Sequence, residues 1–287
     1  MNSGTLQIYK HSGKFNPLRL VLSLAATTAI AFPLGIAYAN LLRIPSVQVC
    51  VLVTIFYGAA VAFFTMYFLN ASQVRNTALA VLTGLVAGLI ALYMAWSGRL
   101  HVFFEVSPWF FFPDQIMQGM SMLNEQGSWR TGVYGTNKTG YELGIIWVGE
   151  AGIIVGPAVW AAFYFTGKTP FCEKTKCWLD EVKTIDTLEQ FTDPAQLAAL
   201  KAGNILPITQ AKPKEEGAKE FTRLLLKRSP QCKIFCTLRV QHATLTINTK
   251  GNEDIKIQDL TNDLIIPASM FELIAKLEEF APPPSPG

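Results

Sequence analysis

Charged side chains are scarce in this chain, and the scarcity is confined to its first part. Of 287 residues, 16% are charged, whereas soluble globular domains carry about 25%. Residues 1–167 contain 8 Lys/Arg and 5 Asp/Glu, and residues 168–287 contain 16 of each. Residues 1–167 therefore carry too few charges for a region that is surrounded only by water. The composition indicates one region in lipid and a second in water.

Two further absences narrow the function. The C-terminal region has no excess of Lys/Arg, so it lacks the basic face that neutralises phosphates, and we expect no nucleic-acid partner. The chain also has no Gly-rich phosphate loop, no nucleophile elbow and no paired histidines, which argues against an enzyme. We expect no cofactor. His242 lies in a strand pattern without an acidic neighbour, and we interpret it as a sheet residue.

Four apolar stretches are long enough to cross a bilayer as helices. They are Leu20–Leu42, Ser46–Leu69, Ala78–Ser97 and Leu143–Thr166. The predicted fold is a membrane all-α bundle of four transmembrane helices, followed by a small soluble α+β domain with an antiparallel sheet. An alternative is that Ala37-x-Ala39 marks a signal-peptidase site, which would leave three spans.

The predicted organisation has four parts. Residues 1–19 form an N-terminal tail, 20–167 the membrane domain, 168–280 the α+β domain and 281–287 a disordered Pro-rich tail. Basic residues flank both ends of the membrane domain, at positions 10, 14, 19, 168, 174 and 176. By the positive-inside rule, we expect an inner (plasma) membrane protein with both termini cytoplasmic. The loop 98–142 would then face outward.

The outward loop has two notable segments. Six aromatic residues lie within positions 103–112, which favours a segment at the headgroup level. Ile116, Met117, Met120 and Leu123 then follow at helical spacing and predict a short amphipathic helix that ends near Gly127. The loop is interpreted either as a lid over a site or as packing on the rim of the bundle.

Glu150 is the only charged residue in the fourth apolar stretch. Pro157 lacks an N–H, so it frees the carbonyl of Ile153, which shares a helix face with Glu150. Together Glu150 and Pro157 form a candidate intramembrane polar site. The alternative interpretations are a hydrogen bond that only fixes helix register and snorkelling of the side chain to the lipid edge. No basic partner within the spans is evident from the sequence.

Small residues suggest how the helices pack. Gly84-x-x-x-Gly88 in the third stretch and Gly152-x-x-x-Gly156 in the fourth are typical of close helix–helix contacts. We expect these two faces to approach each other.

Cysteines form the only cluster in the C-terminal region. Cys172 and Cys177 flank a charged turn, and Cys232 and Cys236 flank Lys-Ile-Phe. A zinc site, a Cys172/Cys177 redox pair and unpaired reduced thiols all remain open. The spacing is not the two-residue knuckle that zinc sites commonly use. Because Cys232 and Cys236 begin a predicted strand, they would lie about 13 Å apart at 3.3 Å per residue.

The rest of this region predicts alternating elements. A helix begins at Asp193-Pro194 and ends at Gly203, and a second helix is expected over residues 218–229. Residues 233–260 predict a β-hairpin that turns at 249–253. The Ser269-x-x-Glu272 capping box predicts a final helix with Phe271, Ile274, Leu277 and Phe280 on its apolar side.

These patterns favour a non-catalytic membrane protein whose cytoplasmic domain binds a protein partner or has a sensory role. One alternative is a small transporter or channel component that uses Glu150. Another is a membrane-embedded thiol redox protein that uses Cys172 and Cys177. The expected partners are the lipid bilayer, a protein at the cytoplasmic domain and a second copy of the chain.

Overall fold

The computed structural model describes residues 6–44, 46–105, 112–130, 135–215, 217–247 and 253–276. The chain divides into two compact units. One is Ser12–Lys168, and the other combines Met1–His11 with Thr169–Gly287. A short first strand, β1 (Gln7–Ile8), belongs to the second unit.

The first unit consists mainly of helices. The helices in its described residues are α1 (Pro17–Leu41), α2 (Val47–Ser72), α3 (Thr77–Phe104), α4 (Pro113–Gln126) and α5 (Gly140–Lys168). All except α4 are long and apolar enough to cross a membrane, with mean hydropathy between 1.6 and 2.2 in their most apolar windows. The predicted amphipathic helix is confirmed as α4. A small antiparallel pair, β2 (Ser128–Arg130) and β3 (Asn137–Lys138), follows it.

Side-chain caps fix where three of the long helices begin. Asn16, Ser46 and Asn76 each accept a hydrogen bond from a backbone N–H of the first turn, which satisfies one of the donors that a helix start leaves free. The third helix continues well past the expected end at Ser97, to Phe104. No proline interrupts residues 98–104, so the helix stops only at Glu105, which is left-handed with φ 52°.

Glycines let the long helices approach closely. A Cβ at Gly35 of α1 would lie 2.7 Å from the Met94 carbonyl oxygen of α3, and one at Gly98 of α3 would lie 2.6 Å from the Gly35 carbonyl oxygen. A Cβ at Gly58 of α2 would collide with the Ile153 carbonyl oxygen of α5. These contacts join α1 to α3 and α2 to α5 through their backbones.

The second unit contains an antiparallel sheet. Its strands are β1, β6 (Asp180–Leu188), β7 (Glu220–Arg228), β8 (Cys236–Ile247), β9 (Glu253–Asp259) and β10 (Leu264–Ile266). The order is β1-β10-β8-β7-β6, and β9 also pairs with β8. A separate pair is formed by β4 (Phe171–Cys172) and β5 (Cys177–Trp178).

Short helices in the described part of this unit complete its core: α6 (Pro194–Lys201), α7 (Leu206–Gln210) and α8 (Ala268–Ala275). Alternate residues of β7 and β8, among them Leu224, Leu226 and Leu238, pack with the buried side chains of the helices. The predicted helix after Asp193 is confirmed as α6.

Other sequence predictions for this unit are corrected. Residues expected to form a helix over 218–229 form β7, because Leu224 and Leu226 alternate into the core while β8 supplies the hydrogen bonds. Ser269 lies inside α8, whose N-cap is Pro267. Gln7 and Ile8, expected in a tail, pair with Ile265 and Leu264.

The hairpin itself is confirmed by the antiparallel pairing of β8 and β9. Its predicted turn at 249–253 falls mainly on residues 248–252, outside the described residues. Leu277, Phe280 and the Pro-rich tail at 281–287 also lie outside them, as do the aromatic positions Trp109, Phe110 and Phe111.

Candidate functional site

Glu150 lies within the helical bundle and is buried. It is the eleventh residue of α5, about 6 Å along the axis from the middle of the helix at 1.5 Å per residue. Its exposed fraction is 4%. An isolated carboxylate at such a position is costly in a membrane, so its surroundings decide whether it can remain charged.

Arg99 of α3 provides the counter-charge. Its Nη2 forms an ion pair with Glu150 Oε1, and Arg99 is likewise 4% exposed. The guanidinium carbon also lies 4.5 Å from the centre of the Trp96 ring, one turn earlier on α3. The expectation that Glu150 lacks an intramembrane basic partner is therefore wrong. Arg99 had been placed outside the third span, whereas α3 continues past it to Phe104.

The other two long helices contribute hydroxyl groups. Tyr38 of α1 donates its phenolic hydrogen to Glu150 Oε1, and its Oη lies 3.0 Å from Thr54 Oγ1 of α2. The Tyr38 ring stacks on Tyr57 at 4.7 Å. We call Tyr38, Thr54, Arg99 and Glu150 the polar centre. It draws one side chain from each of the four long helices.

The polar centre is incompletely satisfied. Arg99 Nη1 and Glu150 Oε2 are both enclosed, and neither has a hydrogen-bond partner among the described residues. Buried polar atoms in proteins are nearly always paired with protein or water. These two atoms therefore have unused capacity to bind a polar group.

A pocket lies next to Arg99, at the end of the bundle where α1 ends and α2 begins. We call it the loop-end pocket, and its volume is about 200 Å³. Its polar lining residues are Arg43, Ser46, Arg99, Gln126, Ser128 and Asn137, and Cys50 also lines it. Arg43 is exposed, and its Nη2 donates to the Val102 carbonyl oxygen of α3. The pocket thus extends from the buried residue Arg99 to the end of the bundle.

The structure also gives positions for Pro157 and for the glycines that were predicted to pack between helices. Pro157 lies inside α5, and the carbonyl oxygen of Ile153 is directed at Gly58 rather than into the polar centre. Gly84 and Gly88 lie against Ala158 and Val155 of α5. Gly152 and Gly156 have no described atom within 4 Å of an added Cβ, and both are exposed.

The cysteines of the second unit divide between two clusters. Cys172 and Cys177 are opposite each other in the β4–β5 pair and pack near Cys232. Cys236 belongs to the main core instead. Cys232 precedes β8, which begins only at Cys236. Within the described residues, no group of three or more His, Cys, Asp or Glu side chains could hold a metal ion.

Cys172 has the more unusual thiol of the pair. Burial raises the pKa of the Cys172 thiol, but hydrogen bonds from the Thr175 hydroxyl and from the backbone N–H groups of Thr175 and Lys174 outweigh it, so the pKa is lowered overall. Cys177 Sγ lies 3.0 Å from the Ser229 hydroxyl. However, Cys172 is 2% exposed, which limits access of a reaction partner to its sulfur.

The sequence did not identify Arg99, Tyr38 or Thr54 as members of a polar site. Arg99 could have been included by noting that residues 98–104 contain no proline. Tyr38 and Thr54 carried no such signal, because single hydroxyl residues are common in membrane helices. Comparison of the chain with protein-family models, with curated proteins and with solved structures finds no match.

Proposed function

We propose that this chain is a multi-pass membrane protein whose bundle binds a small polar solute at the polar centre, as a small transporter or channel component. The observation that carries the proposal is the buried Arg99–Glu150 pair, in which each partner keeps one unpartnered polar atom. The loop-end pocket reaches Arg99 from the end of the bundle. A pair that served packing alone would gain stability by filling these hydrogen bonds.

The proposal includes a location. The chain lies in the plasma (inner) membrane with both termini cytoplasmic, and the loop-end pocket opens on the opposite side. The basic residues that flank α1 and α5 at the chain ends support this orientation.

Solute entry into proteoliposomes tests the function. Vesicles that contain the full-length chain are mixed with glycerol, glycine, or potassium gluconate plus valinomycin, and swelling is followed by light scattering. We expect faster entry of at least one probe than into empty vesicles, and at least a tenfold loss of this excess rate in Glu150→Gln. The amide keeps the size of the side chain but removes the charge that pairs with Arg99.

The matched control is Glu142→Gln. Glu142 lies on the same helix, but its side chain is 66% exposed and pairs with Lys138 at the surface. Vesicles that contain this variant should swell at the same rate as vesicles that contain the wild-type chain. A Glu150→Gln chain that elutes as wild type in size-exclusion chromatography yet retains its full flux would contradict the proposal, as would entry of none of the three probes.

A second function is favoured by the outer edge of the sheet. All seven residues of β9 are exposed, and among the described strands β9 pairs only with β8. Its Ile255 and Ile257 are exposed by 38% and 48%, beside Ile247 at 71%. A free edge with apolar side chains is suited to receive an extended segment of a partner protein.

Site-specific crosslinking in cells tests this second function. A photoreactive residue at Ile257 should give a discrete crosslinked species, whereas one at exposed Thr209 of α7 should not. Equal yields at both positions, or no product at Ile257, would rule out the β9 edge. The redox alternative has less support, because Cys172 is almost completely enclosed.

A further inference from the structure

We propose that the loop-end pocket binds a singly charged oxyanion, either the carboxylate of a small acid or the phosphodiester of a lipid headgroup. This inference rests on the proposed function and names the chemical class of the solute. Its basis is the juxtaposition of Arg43 and Arg99 at one pocket, together with the unpartnered Nη1 of Arg99.

The charge of the site favours an anion. Arg43 and Arg99 both line the loop-end pocket, and no Asp or Glu is among its described lining residues. Glu150 pairs with Arg99 without lining the pocket, and it compensates one of the two positive charges. One net positive charge remains, that of Arg43, and a monovalent anion would balance it.

The hydrogen-bonding geometry favours an oxyanion over a halide. Arg99 uses Nη2 for Glu150 and keeps Nη1 free of any described partner. Guanidinium N–H groups are rigid donors that suit carboxylate and phosphate oxygens. Ser46, Gln126 and Ser128 add further polar side chains to the lining. Gln126 and Ser128 can donate to an anion that Arg99 holds, whereas the Ser46 hydroxyl already donates to Gln48 Oε1.

The size of the pocket limits the ligand. A volume of about 200 Å³ is several times the ~30 Å³ that a water molecule occupies in the liquid. A carboxylate with a few carbon atoms fits within it, as does a single phosphodiester group. Because Arg99 is buried and Arg43 is exposed, the anion would pass Arg43 before it reaches Arg99.

Cys50 provides a native reporter inside the pocket. Its side chain lines the pocket beside Arg99 and is 6% exposed. The full-length chain in detergent is treated with either an anionic or a cationic methanethiosulfonate reagent of similar size. The rate of modification at Cys50 is measured by peptide mass spectrometry, so the other four cysteines do not interfere.

We expect the anionic reagent to modify Cys50 at least tenfold faster than the cationic one. Arg43→Gln and Arg99→Gln should each reduce this ratio at least threefold. Arg19→Gln, an exposed arginine at the start of α1, should leave it unchanged. Because Arg43 is exposed, its variant is expected to fold even if Arg99→Gln does not.

Protection of Cys50 distinguishes the two sources of the anion. Sodium acetate should slow modification more than sodium chloride at equal ionic strength if the ligand is a free acid. Phosphatidylglycerol should slow it more than phosphatidylcholine if the ligand is a lipid headgroup. Equal rates for the two reagents, or no protection by either acetate or phosphatidylglycerol, would overturn the inference.

The assay does not measure flux, so it separates this inference from the proposed function. Charge-selective labelling with acetate protection, but with flux that is indifferent to Glu150, would retain the anion site and reject transport. Glu150-dependent flux without charge selectivity at Cys50 would retain transport and reject the anion site.

Discussion

At the scale of single residues, the Arg99–Glu150 pair is the most consequential feature of the bundle. Both side chains are 4% exposed, so each would be an uncompensated buried charge without the other. Removing one partner of a buried pair is far more destabilising than replacing both. The Tyr38 hydroxyl adds a hydrogen bond to the charged carboxylate, and such bonds contribute about 1.5–3 kcal/mol.

A double-mutant cycle measures this coupling. We expect Arg99→Gln and Glu150→Gln each to lower the free energy of unfolding by about 3 kcal/mol, because each leaves one buried charge unpaired. The double variant should lose less free energy of unfolding than the more destabilised of the two single variants, because neither buried charge remains. Unfolding by sodium dodecyl sulfate in mixed micelles, followed by tryptophan fluorescence, gives these values.

Glu142→Gln is the reference for that cycle. Its ion pair with Lys138 is partly exposed, so its removal should change the free energy of unfolding by less than about 1 kcal/mol. If the double variant loses the sum of the two single losses, Arg99 and Glu150 are not coupled. The ion pair would then contribute no coupling energy to folding.

At the scale of elements, the approach of helix backbones positions the polar centre. Gly58 of α2 allows contact with Ile153 of α5, three residues from Glu150. Gly35 of α1 and Gly98 of α3 likewise allow these two helices to approach each other. Gly98 directly precedes Arg99. Close approach at small residues is a common means of helix association in membranes. Here it brings Tyr38 and Arg99 within reach of the Glu150 carboxylate, and Thr54 within reach of the Tyr38 hydroxyl.

Glycine-to-alanine variants test this packing. A Cβ at Gly58 would collide with the Ile153 carbonyl oxygen, whereas one at Gly152 meets nothing within 4 Å among the described residues. We expect Gly58→Ala to lower the free energy of unfolding by about 1–3 kcal/mol through overpacking. Gly152→Ala should be neutral or slightly stabilising, because alanine favours helix. The same micelle titration applies.

The reverse order of stability would show that α2 and α5 do not meet at Gly58. A loss in Gly152→Ala comparable to that in Gly58→Ala would instead indicate that the exposed glycine face of α5 is covered, for example by a second copy of the chain. Size-exclusion chromatography with light scattering would then reveal the dimer.

At the scale of the whole molecule, the position of Arg99 sharpens the expected orientation. The predicted outward loop 98–142 includes Arg99, which would count there as a basic residue outside the cytoplasm. In the structure Arg99 is buried and paired with Glu150, so it is not a loop charge. Fewer free basic residues therefore remain on the side of the loop-end pocket.

Lysine labelling determines the orientation. In intact cells, a membrane-impermeant amine reagent should modify Lys138, next to α5, and leave Lys212 of the C-terminal domain unmodified. Lys138 is 31% exposed and Lys212 is exposed, so both should react after lysis. Peptide mass spectrometry identifies the sites. Modification of Lys212 in intact cells would reverse the proposed orientation.

Composition and local pattern were sufficient for much of the architecture. The four apolar runs determined which helices are long enough for a membrane, and the periodicity of Ile116, Met120 and Leu123 determined α4. Asp193-Pro194 determined the start of α6. These features depend on the residues of one segment and on its solvent, so a single sequence contains them.

Two features depended on tertiary structure: the strand within residues 218–229 and the Arg99–Glu150 pair. Residues 218–229 carry an ambiguous apolar run, and pairing with β8 made them a strand. The Arg99–Glu150 pair joins positions 51 residues apart and depends on how far α3 continues and on which face of α5 it meets. Local sequence specifies an element and its apolar side, but contacts between distant charges depend on how the elements pack.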